Sequence, residues 1–460
     1  MIYFQSLTQA DLAQLLLPLS RVRRSSNPEK AMTDEQHARK LEKQAQYRAK
    51  QIFHWVYQRF VTDWEQMTDL SKDLRVWLHE NIQVYRLHQR LSQQALDGTH
   101  KFLWDLHDGK TIESVIIPAA LQEKEAVPEG EQGVVAAQDD EVGAGNDDEV
   151  GSVEVDEVGF SETDGDLMAQ GRRFAGAAVS ETVASPRWSR LTACISSQVG
   201  CAMACKFCLT GVQGLDRSLQ THEIVTQVYE LRRVAPITNI VFMGMGEPLN
   251  NFENVVKACE IMLDADGLSF SKRKITISTS GLVPQIEELG KRVDVSLAIS
   301  LNSTTDEQRS EIMPVNRKWN IERLLEACRN YPLGSHRRIT FEYVMLQGFN
   351  DSLDDAARII KLTRGIPSKI NLIPFNEHSG SVYKRPTDAV VKTFQRYLLD
   401  RNVTATVRIS RGRDILAACG QLRSIFGTAR GTERHRDWAL GLKTRGEAAK
   451  ALTPLDSASS

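Results

Sequence analysis

Residues 191–208 read Leu-Thr-Ala-Cys-Ile-Ser-Ser-Gln-Val-Gly-Cys-Ala-Met-Ala-Cys-Lys-Phe-Cys, a short apolar run followed by three closely spaced cysteines. Cys201, Cys205 and Cys208 are three of only seven cysteines in 460 residues, which disfavours three unrelated core thiols. Soft thiolates suit zinc or an iron–sulfur cluster. A structural zinc site is usually completed by a second Cys or His pair at short spacing, and none follows here. The pattern favours a [4Fe–4S] cluster with one iron open to a small chelating molecule.

Downstream of these cysteines, short β-branched runs alternate with amphipathic segments. The predicted strands are residues 191–196, 238–243, 274–278, 293–300, 339–344, 369–373 and 404–409, and the predicted helices between them include 223–233, 252–263, 321–329 and 357–363. Repeated βα units predict an α/β fold with a parallel sheet, and their number indicates a full or partial barrel. Since chemistry in such barrels gathers at the carboxyl ends of the strands, we expect the cysteine loop at that rim.

Residues 1–90 are predicted to form a helical, partly basic accessory domain. Apolar residues recur at helical spacing between Ile52 and Trp77, and Ser71 is the predicted cap of a helix. Basic residues beside aromatic ones can bind RNA by charge and stacking. The aromatic side chains themselves are better explained as the core of a helical bundle.

Residues 91–118 are predicted to form a β-hairpin that leads into the core at residues 188–435. Asp108-Gly109 separates two alternating runs, which is a strong hairpin signal. Glu113 is a charged residue within the second, otherwise apolar run. Its spacing alone favours a position on the solvent-facing side.

Residues 119–187 are predicted to be a disordered acidic insertion, and residues 436–460 a frayed tail. The insertion has 17 acidic and 4 basic residues, a balance of −13, so the remainder carries +11 although the whole chain carries −2. Such a composition buries too little apolar surface to offset the entropy of ordering. A basic body points to a polyanionic partner, with nucleic acid as the leading candidate.

The amino-terminal residues predict neither export nor membrane insertion. They lack a basic segment followed by a long apolar run. We therefore expect a cytoplasmic protein without membrane association, in which reducing conditions keep the cysteines available as ligands.

Polar or glycine-rich residues follow several of the predicted strands. These groups are Gly244–Pro248, Ser278–Gly281, Ser300–Asn302 and Pro374–Asn376. Glycines permit a close approach of the backbone to a ligand, and Glu247 can hold an ammonium group or a pair of ribose hydroxyls. A GxGxxG fingerprint is absent, which disfavours a dinucleotide site. Together the groups predict a polar small-molecule cofactor with amino, carboxylate and ribose groups.

Four stretches carry a resemblance to a known family. Residues 197–201 (SQVGC), 244–249 (GMGEPL), 279–281 (TSG) and 417–422 (AACGQL) resemble the RlmN/Cfr RNA methyltransferases of the radical S-adenosylmethionine (SAM) superfamily. The resemblance covers roughly residues 45–118 and 188–430. It implies a partial (β/α) barrel of the radical SAM type, preceded by the helical accessory domain.

The same resemblance implies the cofactors and their ligands. Cys201, Cys205 and Cys208 match the ligands of a single [4Fe–4S] cluster, whose fourth iron binds SAM through its amino and carboxylate groups. The residues that match the family's SAM contacts are Gly246, Glu247, Ser278, Ser300, Leu301, Asn302 and Asn376. At Asn302 the family commonly has His, so this side-chain contact departs from the family pattern.

The resemblance also implies a route through a methylated cysteine, with two SAM consumed per methyl transferred. Cys419 takes a methyl from one SAM, and a 5′-deoxyadenosyl radical from a second SAM removes a hydrogen from it. The carbon radical adds to C2 of adenine, a carboxylate takes the C2 proton, and Cys194 forms a disulfide with Cys419 to release the RNA. Glu113 resembles the family's base. Glu181 imitates its local sequence, but lies in the acidic insertion without an apolar strand around it.

The resulting hypothesis is an RNA adenine C2-methyltransferase acting on 23S rRNA and tRNA, with an electron donor of the flavodoxin or ferredoxin type. A Cfr-like C8 methyltransferase of 23S rRNA, a non-catalytic iron–sulfur RNA-binding module and a peptide-modifying radical enzyme are the alternatives. Cys259 and Cys328 occupy apolar positions of predicted helices. We expect these two thiols to be small core residues.

Overall fold

The structure is a computed structural model that describes residues 1–21, 33–119, 190–378, 381–408, 410–418 and 420–422. The described residues all belong to one unit of the chain, drawn from Met1–Ala119 and Ser189–Ser460. Most of the predicted acidic insertion and the whole predicted tail lie outside the described residues.

Helices occupy the amino-terminal region and the connections between later strands. They are α1 (Gln9–Leu16), α2 (Asp34–Phe53), α3 (Lys72–Asn81), α4 (Leu209–Gln213), α5 (Thr221–Val234), α6 (Phe252–Leu263), α7 (Val283–Arg292), α8 (Asp306–Ile312), α9 (Ile321–Arg329), α10 (Leu353–Thr363) and α11 (Asp388–Leu399). Within the ranges that the structure describes, no helix has the length and apolar character needed to cross a membrane.

The strands fall into one large sheet and two short pairs. They are β1 (Ile2–Tyr3), β2 (Ile82–Gln83), β3 (His88–Gln94), β4 (His100–Asp105), β5 (Thr111–Pro118), β6 (Leu191–Cys194), β7 (Gln198–Gly200), β8 (Leu215–Ser218), β9 (Asn239–Phe242), β10 (Ile275–Thr279), β11 (Ser296–Ser300), β12 (Ile339–Met345), β13 (Ser368–Pro374) and β14 (Ala405–Val407).

The large sheet has the order β14-β13-β12-β11-β10-β9-β6-β5-β4-β3. The strands from β14 to β6 are parallel, and each successive pair is joined through at least one helix. The strands β5, β4 and β3 extend the sheet in antiparallel fashion. The predicted α/β fold, a partial (β/α) barrel with an amino-terminal helical region, is confirmed.

Local sequence explains where the amino-terminal helices begin. Thr33 caps α2, since its hydroxyl accepts a hydrogen bond from the Gln36 N–H at 3.2 Å and the Gln36 side chain accepts one from the Thr33 N–H at 3.1 Å. Ser71 caps α3 as predicted, since its hydroxyl accepts a hydrogen bond from the Leu74 N–H at 3.4 Å.

The core of the helical region is aromatic and aliphatic. Ile52, Val56, Trp64, Met67 and Leu74 are all buried. Their burial confirms that the apolar stripe packs inward. Burial removes about 25 cal/mol of unfavourable hydration per Å² of apolar surface, so this cluster stabilises the helical region. The rings of Tyr57 and Phe60 also contact Tyr229 on α5, at centroid distances of 6.4 Å and 5.4 Å.

The short parallel pair β1–β2 was not predicted. It forms because the buried Gln5 side chain donates to the Tyr85 carbonyl at 2.8 Å and accepts from the Tyr85 N–H at 2.9 Å. This contact joins residues 80 positions apart, so no local sequence pattern indicates it.

Candidate active site

The backbone of the three-cysteine loop is fixed at both ends. Gly200 enters it with a positive φ of 77°, and a Cβ there would lie 1.8 Å from the Gly214 oxygen. The Cys201 N–H donates to that same carbonyl at 2.9 Å, so Gly214, between α4 and β8, holds the start of the loop. At its end the Cys208 N–H donates to the Cys205 carbonyl at 3.1 Å, immediately before α4.

The surroundings of the cysteines fit an iron–sulfur cluster. Cys201 and Cys205 are buried, and Cys205 packs in an apolar group with Ile312, Met313, Leu346 and Phe375. Burial raises the pKa of the Cys205 thiol, and the charge of the neighbouring Cys208 adds to this. Adjacent buried thiolates therefore need a strongly cationic partner, which clustered iron provides.

A single metal ion is a different case from a cluster. Across the described ranges, no group of three or more His, Cys, Asp or Glu side chains is placed to hold one ion. In a cluster, each thiolate binds a different iron.

The Gly244–Pro248 loop follows β9 and lies directly against the cluster loop. Ser197 N–H donates to the Met245 carbonyl at 2.8 Å, and Glu247 N–H donates to the Gln198 side-chain oxygen at 2.9 Å. Gly246 has a φ of +103°, and a Cβ added there would lie 2.6 Å from the Gln198 Cβ. The two loops therefore form one packed unit at the rim of the sheet.

Glu247 is a buried carboxylate. Its oxygens accept hydrogen bonds from the Leu249 N–H at 3.0 Å and the Ser280 N–H at 2.7 Å. Burial raises its pKa although these hydrogen bonds oppose the shift. Within the described part of the chain, no Lys or Arg pairs with this carboxylate, and its charge acts on Cys201 and Cys205. A ligand ammonium beside the cluster would stabilise the ionised form of Glu247.

Replacing Gly246 by alanine tests how tightly the two loops are packed. We expect Gly246→Ala to lower the free energy of unfolding by roughly 1–3 kcal/mol, because a Cβ is disfavoured at positive φ and meets Gln198. Chemical denaturation of the cofactor-free protein measures this change. Gly109→Ala is the matched control, since Gly109 has a φ of +78° and no atom within 4 Å of an added Cβ. Equal losses in the two variants would contradict the close contact with Gln198.

Arg309 ties together the ends of β10 and β11. It is fully buried on α8 and donates to the carbonyls of Ser280 at 2.7 Å, Ser300 at 3.0 Å and Leu301 at 3.0 Å. Burial lowers its pKa to about 10, so the guanidinium remains charged at neutral pH. It thereby fixes the strand ends that carry the predicted SAM contacts Ser278, Ser300 and Leu301 beside the cluster loop.

The side chain of Asn302 is bonded within the protein. Asn302 is buried with a φ of +56°, its side-chain oxygen accepts from the Val344 N–H at 2.8 Å, and its side-chain nitrogen contacts the Met313 sulfur at 3.3 Å. The Asn350 side chain donates to the Asn302 carbonyl at 2.8 Å. These bonds join the end of β11 to the end of β12. Asn376, after β13, is also buried and lines a small cavity with Ala417 and Ala418.

Glu113 lies on β5 and is only 1% exposed. The prediction of a solvent-facing position from its spacing is therefore wrong. The Lys101 ammonium, from the neighbouring strand β4, lies 3.2 Å from the carboxylate and supplies the charge that its burial requires. The Ser196 hydroxyl also donates to the Glu113 carbonyl at 2.6 Å.

Cys194 lies next to Glu113 on the sheet. It is 4% exposed at the end of β6, and the β5–β6 register places it opposite Val115. Glu113 is two residues from Val115 on the same face, so Glu113 and Cys194 are diagonal neighbours, typically about 7–8 Å apart. The structure thus brings the predicted base and the predicted resolving cysteine together.

Cys419 lies outside the described residues, as does Glu181. The residues on either side of Cys419 lie near the end of the cluster loop and share a cavity with β5. The Leu209 N–H donates to the Gly420 carbonyl at 2.7 Å, and the Thr210 hydroxyl donates to the Leu422 carbonyl at 2.6 Å. Ala417 and Ala418 line the small cavity with Ile117 of β5. The chain on either side of Cys419 therefore bonds to α4, directly after the cluster loop, and shares a cavity with β5, the strand of Glu113.

The two other thiols, Cys259 and Cys328, are buried on α6 and α9, as predicted. Two functional candidates, Lys101 and Arg309, were missed by sequence reasoning. Lys101 sits in an alternating strand, and Arg309 in a charged helical segment, so both sequence contexts are typical of exposed residues.

Comparisons with known proteins match the helical region and the barrel to two different family descriptions. Residues 195–360 match the radical SAM superfamily, and residues 35–84 match the ribosomal RNA large subunit methyltransferase N-terminal domain. The chain is 47% identical over 377 residues to the dual-specificity RNA methyltransferase RlmN of Geobacter sulfurreducens, covering 82% of this chain and 86% of that protein. The chain belongs to the RlmN family. The predicted family resemblance is confirmed.

Two further relatives are similar to this chain over most of its length. RlmN of Geotalea uraniireducens is 45% identical over 82% of this chain and 90% of that protein. A crystal structure of a radical SAM methyltransferase from Sphaerobacter thermophilus is 33% identical, has a TM-score of 0.67, and covers 92% of this chain and 99% of that chain. The helical region and the barrel thus occur together in a solved relative.

Proposed function

We propose that this protein is a radical SAM RNA methyltransferase that adds a methyl group to C2 of adenine in 23S rRNA and tRNA. The observation that carries the proposal is the position of the residues flanking Cys419, which bond to the start of α4 directly after the cluster loop and line a cavity with Ile117 of β5. The relatives at 40–47% identity named dual-specificity RNA methyltransferase RlmN support the reaction and the substrates. We expect the protein to act in the cytoplasm, where both RNAs occur.

The residues present fit the two cofactors of the superfamily. Cys201, Cys205 and Cys208 would hold a [4Fe–4S] cluster in their apolar shell, and Glu247 would hold the SAM ammonium. The remaining SAM contacts would come from Gly246, Ser278, Ser300, Leu301, Asn302 and Asn376. When the cluster and SAM are bound and a flavodoxin- or ferredoxin-type donor reduces the cluster, the two cofactors supply a transferable methyl and a carbon radical that abstracts hydrogen.

Cys419 accepts the methyl on its sulfur and then carries the carbon that bonds to adenine C2. Glu113 takes the C2 proton, for which its buried position beside Lys101 is suited. The RNA is then joined to Cys419 through a thioether. Radical chemistry is required because adenine C2 is electron-poor and does not attack a sulfonium methyl directly.

Cys194 releases the product. Its thiolate attacks the Cys419 sulfur, the bond from that sulfur to the methylene carbon breaks, and the carbon keeps the electron pair and takes a proton to become CH3. A Cys194–Cys419 disulfide forms, and the one electron that the radical adduct must lose passes to the oxidised form of the flavodoxin- or ferredoxin-type donor. A dithiol reductant then regenerates both thiols.

The test is anaerobic reconstitution with cluster, labelled SAM, a reductant and each RNA, followed by mass spectrometry of the nucleosides. We expect 2-methyladenosine in both RNAs. Formation of 8-methyladenosine would favour the Cfr-like reaction, and absence of any methylated adenosine with an intact cluster would favour a non-catalytic RNA-binding module. Labelled protein or peptide in place of RNA would indicate the peptide-modifying alternative.

A further inference from the structure

The turn between β3 and β4 is closed by its own hydrogen bonds. The Ala95 N–H donates to the Thr99 carbonyl at 2.8 Å, and the Gly98 N–H donates to the Ala95 carbonyl at 3.1 Å. The Thr99 N–H donates to the Asp97 carboxylate at 2.9 Å. This carboxylate oxygen faces its own turn, which leaves the second oxygen of Asp97 for another contact.

That second contact reaches across more than 300 residues of sequence. The other Asp97 carboxylate oxygen accepts from the Gly412 N–H at 2.8 Å, and the Asp97 carbonyl accepts from the Arg411 guanidinium at 3.1 Å. The Leu96 N–H donates to the Asp414 carboxylate at 3.2 Å. The β3–β4 turn therefore clasps residues 411–414.

The clasped residues determine where the chain before Cys419 lies. Gly412 has a φ of +65°, and a Cβ added to it would lie 2.8 Å from both the Thr99 Cγ2 and the Ala417 Cβ. The Ala417 N–H donates to the Gly412 carbonyl at 2.8 Å. Ala417 is thus held against Gly412, and Gly412 against the turn, only two residues before Cys419.

The charge on Asp97 is suited to this contact. Burial opposes its ionisation, but hydrogen bonds from Thr99 and Gly412 outweigh burial and lower its pKa. A carboxyl whose folded pKa is depressed stabilises the fold above its unfolded pKa, and this contribution disappears as the pH falls through the folded pKa. The clasp is therefore fully formed at neutral pH.

We propose that Asp97 is a positioning residue for the methyl-carrying cysteine, holding the segment before Cys419 so that the thiol meets the methyl of SAM. The inference rests on the proposed function of Cys419. After Cys419 the chain is held by the Leu209 contact to Gly420, on the cluster loop. Asp97 supplies the hold on the other side. Without the Asp97 carboxylate, the turn keeps its contacts to Arg411 and Asp414 but loses the bond to Gly412, the residue against which Ala417 packs.

The test compares Asp97→Ala with Asp108→Ala. Asp108 occupies an Asp-Gly turn of the next hairpin, where its carboxylate accepts from the Lys110 N–H at 3.2 Å and the Arg217 guanidinium at 2.7 Å. Each variant loses a carboxylate with two hydrogen bonds, but only Asp97 contacts Gly412. Asp97→Asn, which keeps one acceptor oxygen, is the conservative variant.

The first readout needs no cofactor. Trypsin cleaves after Arg411 and Arg413, and we expect cleavage at these bonds of the cofactor-free protein to be faster in Asp97→Ala than in wild type or Asp108→Ala. The second readout is the rate of Cys419 methylation in the reconstituted enzyme, measured by peptide mass spectrometry. We expect it to fall about 10- to 100-fold in Asp97→Ala, less in Asp97→Asn, and not in Asp108→Ala. Cluster absorbance should be equal in all.

Wild-type rates of both tryptic cleavage and Cys419 methylation in Asp97→Ala would overturn the inference, as would equal losses in Asp108→Ala. If Asp97→Ala does not fold, Gly412→Ala disturbs the same contact from the other side and should give the same two effects. A wild-type enzyme that never methylates Cys419 would overturn the proposed function, and this inference with it.

Discussion

Cys194→Ala is expected to leave the substrate RNA covalently bound to the enzyme. Without the Cys194 thiolate, the thioether between Cys419 and adenine has no sulfur nucleophile to open it. We expect a covalent protein–RNA complex to accumulate to nearly one equivalent of active enzyme, visible as a slow band on a denaturing gel. Multiple turnover should fall by at least about 10³-fold, the scale on which loss of an essential nucleophile acts.

The Cys419→Ala variant distinguishes a failure to release the RNA from a general loss of structure. Cys419→Ala should abolish both methylation and the covalent complex, while cluster absorbance survives, because Cys419 is not among the cluster cysteines. Cys259→Ala is the matched control, since Cys259 is fully buried on α6 away from the site. Normal turnover by Cys194→Ala, or a covalent complex in Cys419→Ala, would exclude the proposed roles.

The cluster loop and the βα alternation could be predicted because their signals are local. Three cysteines within eight residues follow a strand, and helices such as Phe252–Leu263 and Ile321–Arg329 have the bounds that their periodicity predicts. The contacts that complete the site are not local. Lys101 and Glu113 meet across two strands, and Asp97 meets Gly412 across 315 residues. The β4–β5 register brings the first pair together, and the path of the chain after β14 brings the second pair together.

Glu113 shows how a period-two pattern can mislead. Alternation assigns its side chain to one of two faces and assumes that one face is wet. In this sheet nearly all of β5 is buried, and on one face Ser114 bonds to Gln227 of α5. A charged residue then remains only where a partner neutralises it, and here the partner is Lys101.

The position of Asn302 has a comparable lesson. The family pattern indicated a cofactor contact there, yet its side-chain oxygen is bonded to the end of β12. Arg309 also joins strand ends, since its guanidinium donates hydrogen bonds to three carbonyls there. The site therefore depends on buried polar side chains that join strand ends, and these hold the neighbouring residues ready for the cofactor.

Glu113→Gln is expected to slow the late steps and leave the early ones intact. The amide keeps the shape of the side chain but cannot take the C2 proton, and a positioned base typically contributes 10²–10⁴-fold. Formation of 2-methyladenosine should fall by about that factor. Methylation of Cys419 and reductive cleavage of SAM should continue, because neither removes the C2 proton. The covalent protein–RNA complex should then be detectable, as in Cys194→Ala.

Glu230→Gln provides the matched control for loss of a buried, paired carboxylate. Glu230 lies on α5, is 5% exposed, and pairs with Arg86 and Arg233. If Glu113 only stabilises the fold as a buried, paired carboxylate, both variants should lose activity in proportion to their loss of stability. If Glu113 is the base, only Glu113→Gln should uncouple SAM cleavage from RNA methylation. The ratio of SAM cleavage to RNA methylation, measured with adenine bearing deuterium at C2, isolates the proton that Glu113 removes.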